Sequence, residues 1–147
     1  MAPLLVVDDD PEMLLLLRRS LAVFGGHLEA SNGEDALRLV RSEHPRLVLL
    51  DVTMPGMDGI VILRKARLID PSISVVMLTG GYDVAVAKQA LDGGARAYIT
   101  KPFNEVYLRA EVRRLLEGDE ARDRADASSR PWRVMASGAT LGKGVCP

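Results

Sequence analysis

Short, uninterrupted apolar runs recur along the chain and alternate with stretches that have a helical period. The three clearest runs are residues 4–7, 47–50 and 75–78. Continuous apolar runs bounded by polar residues are typical of strands that are buried on both faces of a parallel sheet. Residues 28–30 and 97–99 are two shorter strand candidates. The pattern therefore predicts five strands, most of them covered on both faces.

Helical patterns separate the strand candidates. The first helix is predicted to begin with Asp10 as N-cap and Pro11 at its first position, and to end at Gly25 and Gly26. The other helices are predicted over residues 32–43, 59–68, 84–91 and 104–117. Alternation of strands and helices requires right-handed crossovers and a parallel sheet covered on both faces. We expect a flavodoxin-like, doubly wound (βα)5 domain of the α/β class, with a central five-stranded parallel sheet in the order 2-1-3-4-5.

The sequence changes in character after residue 117. Residues 118–147 show no hydrophobic period and are rich in Ala, Arg, Ser and Gly. A segment of this length and composition cannot build a second hydrophobic core. We therefore predict one domain over residues 1–117, followed by a flexible tail or truncated linker over residues 118–147.

Charge and composition exclude several classes of protein. Nineteen Lys and Arg residues against twenty Asp and Glu residues give a net charge of −1, which removes an overall attraction to nucleic acids or anionic membranes. The longest apolar run, residues 13–17, is far shorter than the ~20 residues that span a bilayer. The single cysteine, Cys146, excludes an internal disulfide framework. We therefore expect a soluble cytoplasmic protein. Direct nucleic-acid binding is not expected, since no helix-turn-helix pattern follows residue 117.

Polar residues with related chemistry follow four of the predicted strands. They are Asp8, Asp9 and Asp10 after the first strand, Asp51 after the third, Thr79 after the fourth and Lys101 after the fifth. In open parallel sheets, ligands bind at the carboxyl ends of the strands. Crowded carboxylates repel each other unless a cation neutralises them, and oxygen ligands without Cys or His favour Mg²⁺. With the ammonium of Lys101 and the hydroxyl of Thr79, the pattern predicts a phosphoryl site with Asp51 as nucleophile.

Four segments carry a resemblance to a known family. They read LLVVDDD at 4–10, DVTMPGMDG at 51–59, LTG at 78–80 and YITKPF at 98–103. Together they resemble the receiver domain of two-component response regulators (the CheY-like superfamily), over about residues 3–117. The resemblance implies that Asp51 accepts a phosphoryl group from a sensor histidine kinase or a phosphotransfer protein.

The same resemblance implies a magnesium site. Asp9 and Asp51 would be direct Mg²⁺ ligands together with the backbone carbonyl of Thr53, and Asp8 would act through water. The resemblance also implies a cis Lys101–Pro102 peptide. The glycine of residue 59 fits the turn that leads from Asp51 into the third helix.

A switch is also implied by the resemblance. Lys101 would pair with the phosphoryl oxygens, Thr79 would move to hydrogen-bond them, and Tyr98 would swing inward behind Thr79. This coupling would reshape the surface of the fourth helix, fifth strand and fifth helix, where a downstream effector would dock. The chain would then be a phosphoacceptor regulator that assists only its own phosphorylation and dephosphorylation, not an enzyme.

The oligomeric state depends on residues just before Tyr98. Family members that dimerise and bind DNA often carry two acidic residues there, whereas this chain has Arg96 and Ala97. We therefore expect a monomer, or a weak dimer that depends on phosphorylation.

Two other functions remain open at this point. A haloacid-dehalogenase-like phosphatase would use Asp8 as nucleophile and Asp10 as general acid, but it gives no role to Asp51. A receiver-fold docking module would bind a partner without being phosphorylated.

Four further polar residues are interpreted without a chemical role. Asp10 caps the first helix, and Asp58 belongs to the turn after the third strand. His27 and His44 are interpreted as single surface histidines that lack the spacing of a ligand pair, so neither is expected to be a ligand.

Overall fold

The computed structural model describes residues 4–52, 54, 58–80, 84–117, 134–136 and 139–140. Its strands are β1 (Leu4–Val7), β2 (Leu28–Ala30), β3 (Leu47–Asp51), β4 (Ser74–Thr79), β5 (Ala97–Thr100), β6 (Val134–Ala136) and β7 (Ala139–Thr140). Its helices are α1 (Pro11–Leu21), α2 (Gly33–Glu43), α3 (Gly59–Ile69), α4 (Val84–Asp92) and α5 (Glu105–Leu116), with a 3₁₀ turn at Ala22–Phe24. No helix in these ranges is long and apolar enough to cross a bilayer.

Short polar side chains fix where the helices begin. In α1, α2, α3 and α5 the residue before the first turn accepts a hydrogen bond from a backbone N–H of that turn, and these residues are Asp10, Asn32, Asp58 and Asn104. Such caps satisfy N–H groups that have no partner within the helix. Asp10 and Asn104 therefore begin α1 and α5 where the sequence predicts.

The first five strands form a parallel sheet in the order β2-β1-β3-β4-β5. This confirms the predicted doubly wound (βα)5 fold and its strand order 2-1-3-4-5. The structure adds two strands that the sequence analysis does not predict: β6 pairs in parallel with β5, and β7 pairs antiparallel with β6. Both are too short to show a hydrophobic period, which explains why the pattern gave no signal.

Alternate residues of the strands divide the core into two layers. On one face, Leu5, Val7, Leu50 and Met77 pack with residues of α2, α3 and α4. On the other face, Leu4, Val6, Leu49 and Leu78 pack with residues of α1 and α5. Because a slip of one residue would move every side chain to the wrong face, this double burial fixes the register of the strands and aligns their carboxyl ends.

Candidate functional site

The strand register brings the predicted site residues to one end of the sheet. Leu50 pairs with Val7, so that Asp51 and Asp8 follow paired residues on β3 and β1. Thr79 pairs with Thr100, the residue before Lys101. The predicted convergence of these side chains at the carboxyl end of the sheet therefore follows from the ladder of paired strands.

Lys101 lies between two buried carboxylates. Its Nζ is 3.1 Å from Oδ2 of Asp8 and 3.6 Å from Oδ2 of Asp51. Asp8 is completely buried, and Asp51 is 3% exposed. The other oxygen of Asp8, Oδ1, accepts a hydrogen bond from the backbone N–H of Asp10 at 2.9 Å. Both oxygens of Asp8 thus already have a donor.

The environment of Asp8 disfavours its charged form. Burial raises the pKa of the Asp8 carboxyl above its ordinary value, and the charge of Asp51 acts in the same direction. The hydrogen bonds from Asp10 and Lys101 lower this pKa but do not outweigh burial. Burial thus outweighs the ion pair with Lys101 at this carboxyl.

Three carboxylates are close enough to share a cation. Single oxygens of Asp8, Asp9 and Asp51 all lie within 4.8 Å of one another, and Asp9 is exposed beside its two buried neighbours. A set of hard oxygen donors with an open, solvated side fits Mg²⁺, which keeps several of its waters. We call Asp8, Asp9, Asp51 and Lys101 the carboxyl-end cluster. The remaining predicted ligand, the carbonyl of Thr53, lies outside the described residues.

Thr79 and Lys101 are joined through the main chain. The Lys101 N–H donates to the Thr79 carbonyl at 2.6 Å, and Thr79 itself is buried at 4% exposure. The Lys101–Pro102 peptide is cis, as the resemblance implies. The two residues expected to contact a phosphoryl group therefore sit side by side on neighbouring strands.

Tyr98 is completely buried in the core layer that α2, α3 and α4 cover. It lies on β5, three residues before Lys101, and pairs with Met77 of β4. The structure thus shows Tyr98 in an inward position, whereas its movement as part of a switch stays a prediction.

Gly59 is required by close packing rather than by a turn conformation. A Cβ atom at this first residue of α3 would lie 2.7 Å from Cα of Val52 and 3.2 Å from the Asp51 carbonyl oxygen. The turn role that the sequence analysis gives to Gly59 is therefore not the physical reason for the glycine. Its missing side chain lets α3 start directly against the backbone of Asp51 and Val52.

A second charged cluster was missed by the sequence analysis. The guanidinium of Arg18 makes two hydrogen bonds to Glu29, at 2.6 and 2.8 Å, and Nε2 of His27 lies 2.9 Å from Oε2 of Glu29. The side chain of His27 is 7% exposed, so its interpretation as a surface histidine is wrong. A signal was present, since residues 27 and 29 are two apart in extended chain and share a face. We call Arg18, His27 and Glu29 the β2 cluster.

Asp10 takes no part in the chemistry that a phosphatase would require of it. It is exposed, and its Oδ1 accepts the N–H of Glu12 at 2.9 Å as the cap of α1. Asp58 likewise caps α3 by accepting the N–H of Ile60. Asp10 is thus used as a helix cap, whereas Asp51 lies beside Lys101 in the carboxyl-end cluster.

Comparison with protein families agrees with this geometry. Residues 4–113 match the response regulator receiver domain. Over 118 residues the chain is 39% identical to a probable transcriptional regulator, ycf27, of Cyanophora paradoxa, covering 80% of this chain and 49% of that protein. It is 39% identical over 127 residues to the response regulator MprA of Mycolicibacterium vanbaalenii, covering 86% and 55% of the two chains. The chain thus spans about half the length of the curated relatives it matches.

Solved structures share the fold. A CheY-like response regulator receiver domain protein from Methanospirillum hungatei JF-1 superposes with a TM-score of 0.77 at 29% identity, over 83% of this chain and 98% of that one. The BeF3-activated receiver domain of DrrB, a Thermotoga maritima protein, gives a TM-score of 0.73 at 35% identity, over 80% and 99%.

Proposed function

Because the chain belongs to the response regulator receiver domain family, we propose that it acts as a phosphoryl-accepting signalling switch with Asp51 as the acceptor. The observation that carries the proposal is the position of Lys101, whose ammonium group lies within 4 Å of both Asp8 and Asp51 at the carboxyl end of the sheet. A cation held beside a carboxylate nucleophile is suited to receive the negative charge of an incoming phosphoryl group.

The proposed reaction transfers one phosphoryl group to Asp51. A carboxylate oxygen of Asp51 forms a bond to phosphorus while the bond from phosphorus to the donor nitrogen of a phosphohistidine breaks. The electron pair of that bond stays on the imidazole, and Asp51 becomes an acyl phosphate. With acetyl phosphate as donor, the phosphorus–oxygen bond breaks instead and acetate leaves.

The acidic residues would prepare the site for this transfer. Asp9 and Asp51 would bind Mg²⁺ directly together with the Thr53 carbonyl, while Asp8, whose oxygens accept hydrogen bonds from Asp10 and Lys101, would act through water, as the resemblance to the family implies. Mg²⁺ held by these residues would supply positive charge to offset the carboxylate and phosphoryl oxygens. Asp8 also holds Lys101 in place through the 3.1 Å ion pair.

Lys101 and Thr79 would read the phosphorylated state. Lys101 would pair with the new phosphoryl oxygens, and the hydroxyl of Thr79 would turn to donate a hydrogen bond to them. An added dianion biases any element that has two arrangements. We propose that Tyr98, buried on β5, transmits this change to the surface of α4, β5 and α5.

The proposed partners follow from the reaction. A sensor histidine kinase or a phosphotransfer protein would supply the phosphoryl group in the cytoplasm, and an effector would bind the surface of α4, β5 and α5. The chain would act as a stoichiometric acceptor, monomeric or weakly dimeric after phosphorylation, rather than as an enzyme that turns over a substrate.

The first measurement is the intact mass of the protein after incubation with acetyl phosphate and Mg²⁺. We expect the wild type to gain one phosphoryl group and Asp51→Asn to gain none. Glu29→Gln is the matched control, because it removes a charged carboxylate from the β2 cluster and should leave the gain unchanged.

Two results would contradict the proposal. A wild-type chain that stays unmodified with both acetyl phosphate and phosphoramidate, while still folded by circular dichroism, would indicate a docking module instead. A phosphoryl gain that persists in Asp51→Asn would assign the acceptor to another residue.

A further inference from the structure

A buried serine joins helix α1 to helix α5. Ser20 lies on α1 and is 2% exposed, next along the helix to Leu21, which packs in the core layer that α1 and α5 cover. The Ser20 hydroxyl donates a hydrogen bond of 2.5 Å to Oε1 of Glu105, the first residue of α5. A hydroxyl that donates to a carboxylate makes a short, charge-assisted bond, which is stronger than a bond between neutral groups. The two helices are therefore held to each other at a defined point.

Each of these helices begins close to the carboxyl-end cluster. Helix α1 begins at Pro11, directly after the acidic residues 8–10. Helix α5 begins four residues after Lys101. A bond between α1 and α5 therefore joins the element that follows the acids of the cluster to the element that follows its cation.

The connection between Lys101 and Glu105 is fixed along its length. At its start, the Lys101 N–H donates to the Thr79 carbonyl at 2.6 Å. In its middle, Phe103 packs against the core layer of α1 and α5. At its end, Oδ1 of Asn104 accepts the N–H groups of the second and third residues of α5. A displacement of the first turn of α5 would therefore reach Lys101 through a connection of three residues, 102–104.

We propose that Ser20 and Glu105 are positioning residues, whose hydrogen bond holds the first turn of α5 against α1 and so keeps the ammonium group of Lys101 between Asp8 and Asp51. The distances at stake are short, because Nζ of Lys101 lies 3.1 Å from Asp8 and 3.6 Å from Asp51. A displacement of about 1 Å at a reacting group can slow a reaction strongly. The effect on phosphoryl transfer rests on the proposed function of Asp51, whereas the effect on Lys101 belongs to the unmodified chain.

The exposure of Glu105 separates this role from a contribution to folding. The side chain of Glu105 is 44% exposed, and its Oε1 also lies 3.6 Å from Nη1 of Arg109 on the next turn of α5. Without the Ser20 hydroxyl, the carboxylate would keep its contact with water and with Arg109, so no buried charge would be left unpaired. Ser20→Ala should therefore fold, and it should lose the fixed position of α5 rather than the core.

The NMR signal of the Lys101 ammonium group in the metal-free, unmodified chain tests the positioning directly. The signal is assigned by its loss in Lys101→Met and is compared with that of the exposed Lys88. In Ser20→Ala we expect the Lys101 signal to move toward that of Lys88, while the circular dichroism spectrum stays that of the wild type. Ser72→Ala is the matched control, since it removes a 2.6 Å bond from a serine hydroxyl to Asp70 in the turn before β4, and it should leave the Lys101 signal unchanged.

A second experiment measures the rate of phosphoryl gain by intact mass, with acetyl phosphate and Mg²⁺. We expect Ser20→Ala to react about fivefold more slowly than the wild type, and Ser72→Ala to react as the wild type does. Glu105→Leu should be as slow as Ser20→Ala, whereas Glu105→Gln keeps an acceptor oxygen and should restore most of the rate. The double variant of Ser20→Ala and Glu105→Leu should be no slower than either single variant, because both remove the same bond.

Four results would overturn the positioning role or its link to the reaction. Ser20→Ala could leave both the Lys101 signal and the rate unchanged. Ser72→Ala could have the same effect as Ser20→Ala, which would make the effect a general cost of losing a serine. Glu105→Gln could be as slow as Glu105→Leu, which would assign the effect to charge and not to the hydrogen bond. A Lys101 signal that moves without a change in rate would refute the link to phosphoryl transfer.

These outcomes separate the two proposals. If the wild type gains no phosphoryl group, the proposed function fails, and the Lys101 signal of the unmodified chain still decides whether Ser20 and Glu105 position the ammonium group.

Discussion

Two charged clusters on this sheet are built from similar groups and differ in their balance of charge. In the β2 cluster one carboxylate, Glu29, receives two hydrogen bonds from Arg18 and one contact from His27. In the carboxyl-end cluster three carboxylates lie close together, and the ammonium group of Lys101 pairs with two of them, Asp8 and Asp51. The first cluster is compensated by its own residues, and the second has negative charge in excess.

The two clusters also differ in the direction of their acid pKa shifts, because burial dominates at Asp8 and hydrogen bonding dominates at Glu29. Hydrogen bonding from Arg18 lowers the pKa of Glu29, against a smaller opposing effect of burial. Burial raises the pKa of Asp8 despite its bonds to Asp10 and Lys101. A compensated ion pair stabilises the fold, whereas an uncompensated cluster keeps an excess of negative charge that a bound cation can neutralise. This difference is consistent with the proposed role of the carboxyl-end cluster.

The largest expected effect comes from removing the one cation of the carboxyl-end cluster. Lys101→Met leaves Asp8 and Asp51 buried beside each other, and we expect a loss of about 2 kcal/mol in the free energy of unfolding, the usual cost of a buried polar group that loses its partner. Urea denaturation without Mg²⁺ measures this loss.

Two further results are expected if the two clusters differ in charge balance. Saturating Mg²⁺ should recover part of the lost stability, and Arg18→Met in the β2 cluster should cost less, since Arg18 is largely exposed. Equal losses in the two variants would show that the clusters are energetically alike.

The second-largest expected effect is on metal binding, which should depend on the carboxyl-end cluster and not on the β2 cluster. Asp9→Ala removes an exposed carboxylate that would bind the ion directly, and we expect Mg²⁺ affinity to fall about tenfold, or about 1.4 kcal/mol. Isothermal titration calorimetry measures the affinity. Glu29→Gln removes one negative charge elsewhere and should bind Mg²⁺ as the wild type does; a matching loss there would mean that net charge alone controls binding.

Asp8→Asn should stabilise the metal-free protein, by about 1 kcal/mol at pH 7, within the range of single substitutions. The native state binds a proton at Asp8 more readily than the unfolded chain, because burial raises the pKa of Asp8 from its ordinary value of 3.8. Stability of the wild type therefore falls as pH rises from 3.8 through the raised pKa. Asparagine does not titrate, so the stability of Asp8→Asn relative to the wild type should increase as pH rises through this range.

Urea denaturation from pH 3 to pH 8 in EDTA measures the difference between Asp8→Asn and the wild type. Mg²⁺ should reverse its sign, since the variant has lost a charge that the ion needs. A difference that is independent of both pH and Mg²⁺ would contradict the excess of negative charge.

The smallest expected effect is at Glu29. Its lowered pKa means that Glu29 contributes stability above its ordinary value of 4.5 and loses it as pH falls through the lowered pKa. Glu29→Gln should cost less than about 1 kcal/mol at pH 7, as for a partly exposed ion pair. The cost should vanish at acid pH, the opposite of the trend at Asp8, and thermal denaturation at pH 3 and pH 7 tests it.

The parts of the fold that repeat were predictable, and the parts that depend on single contacts were not. The apolar runs predicted the strands because burial on both faces leaves a continuous signature, and the alternation of strands with helices predicted the doubly wound fold with its strand order. The convergence of Asp8, Asp51 and Lys101 followed from strand ends alone. The contact of Gly59 with Val52 depends on how closely α3 approaches the sheet, and the β2 cluster depends on the position of α1 beside β2. Neither distance is encoded in a periodic pattern.

The main-chain bond from Lys101 to Thr79 has a consequence for how such a protein can diversify. The spacing between these two residues is set by the strand ladder, which is insensitive to most side-chain replacements. Substitutions on the outward faces of the helices should therefore leave the spacing of Thr79 and Lys101 unchanged. Under the proposed function, the helix surfaces could then be altered for a new partner without rebuilding the site of phosphoryl transfer.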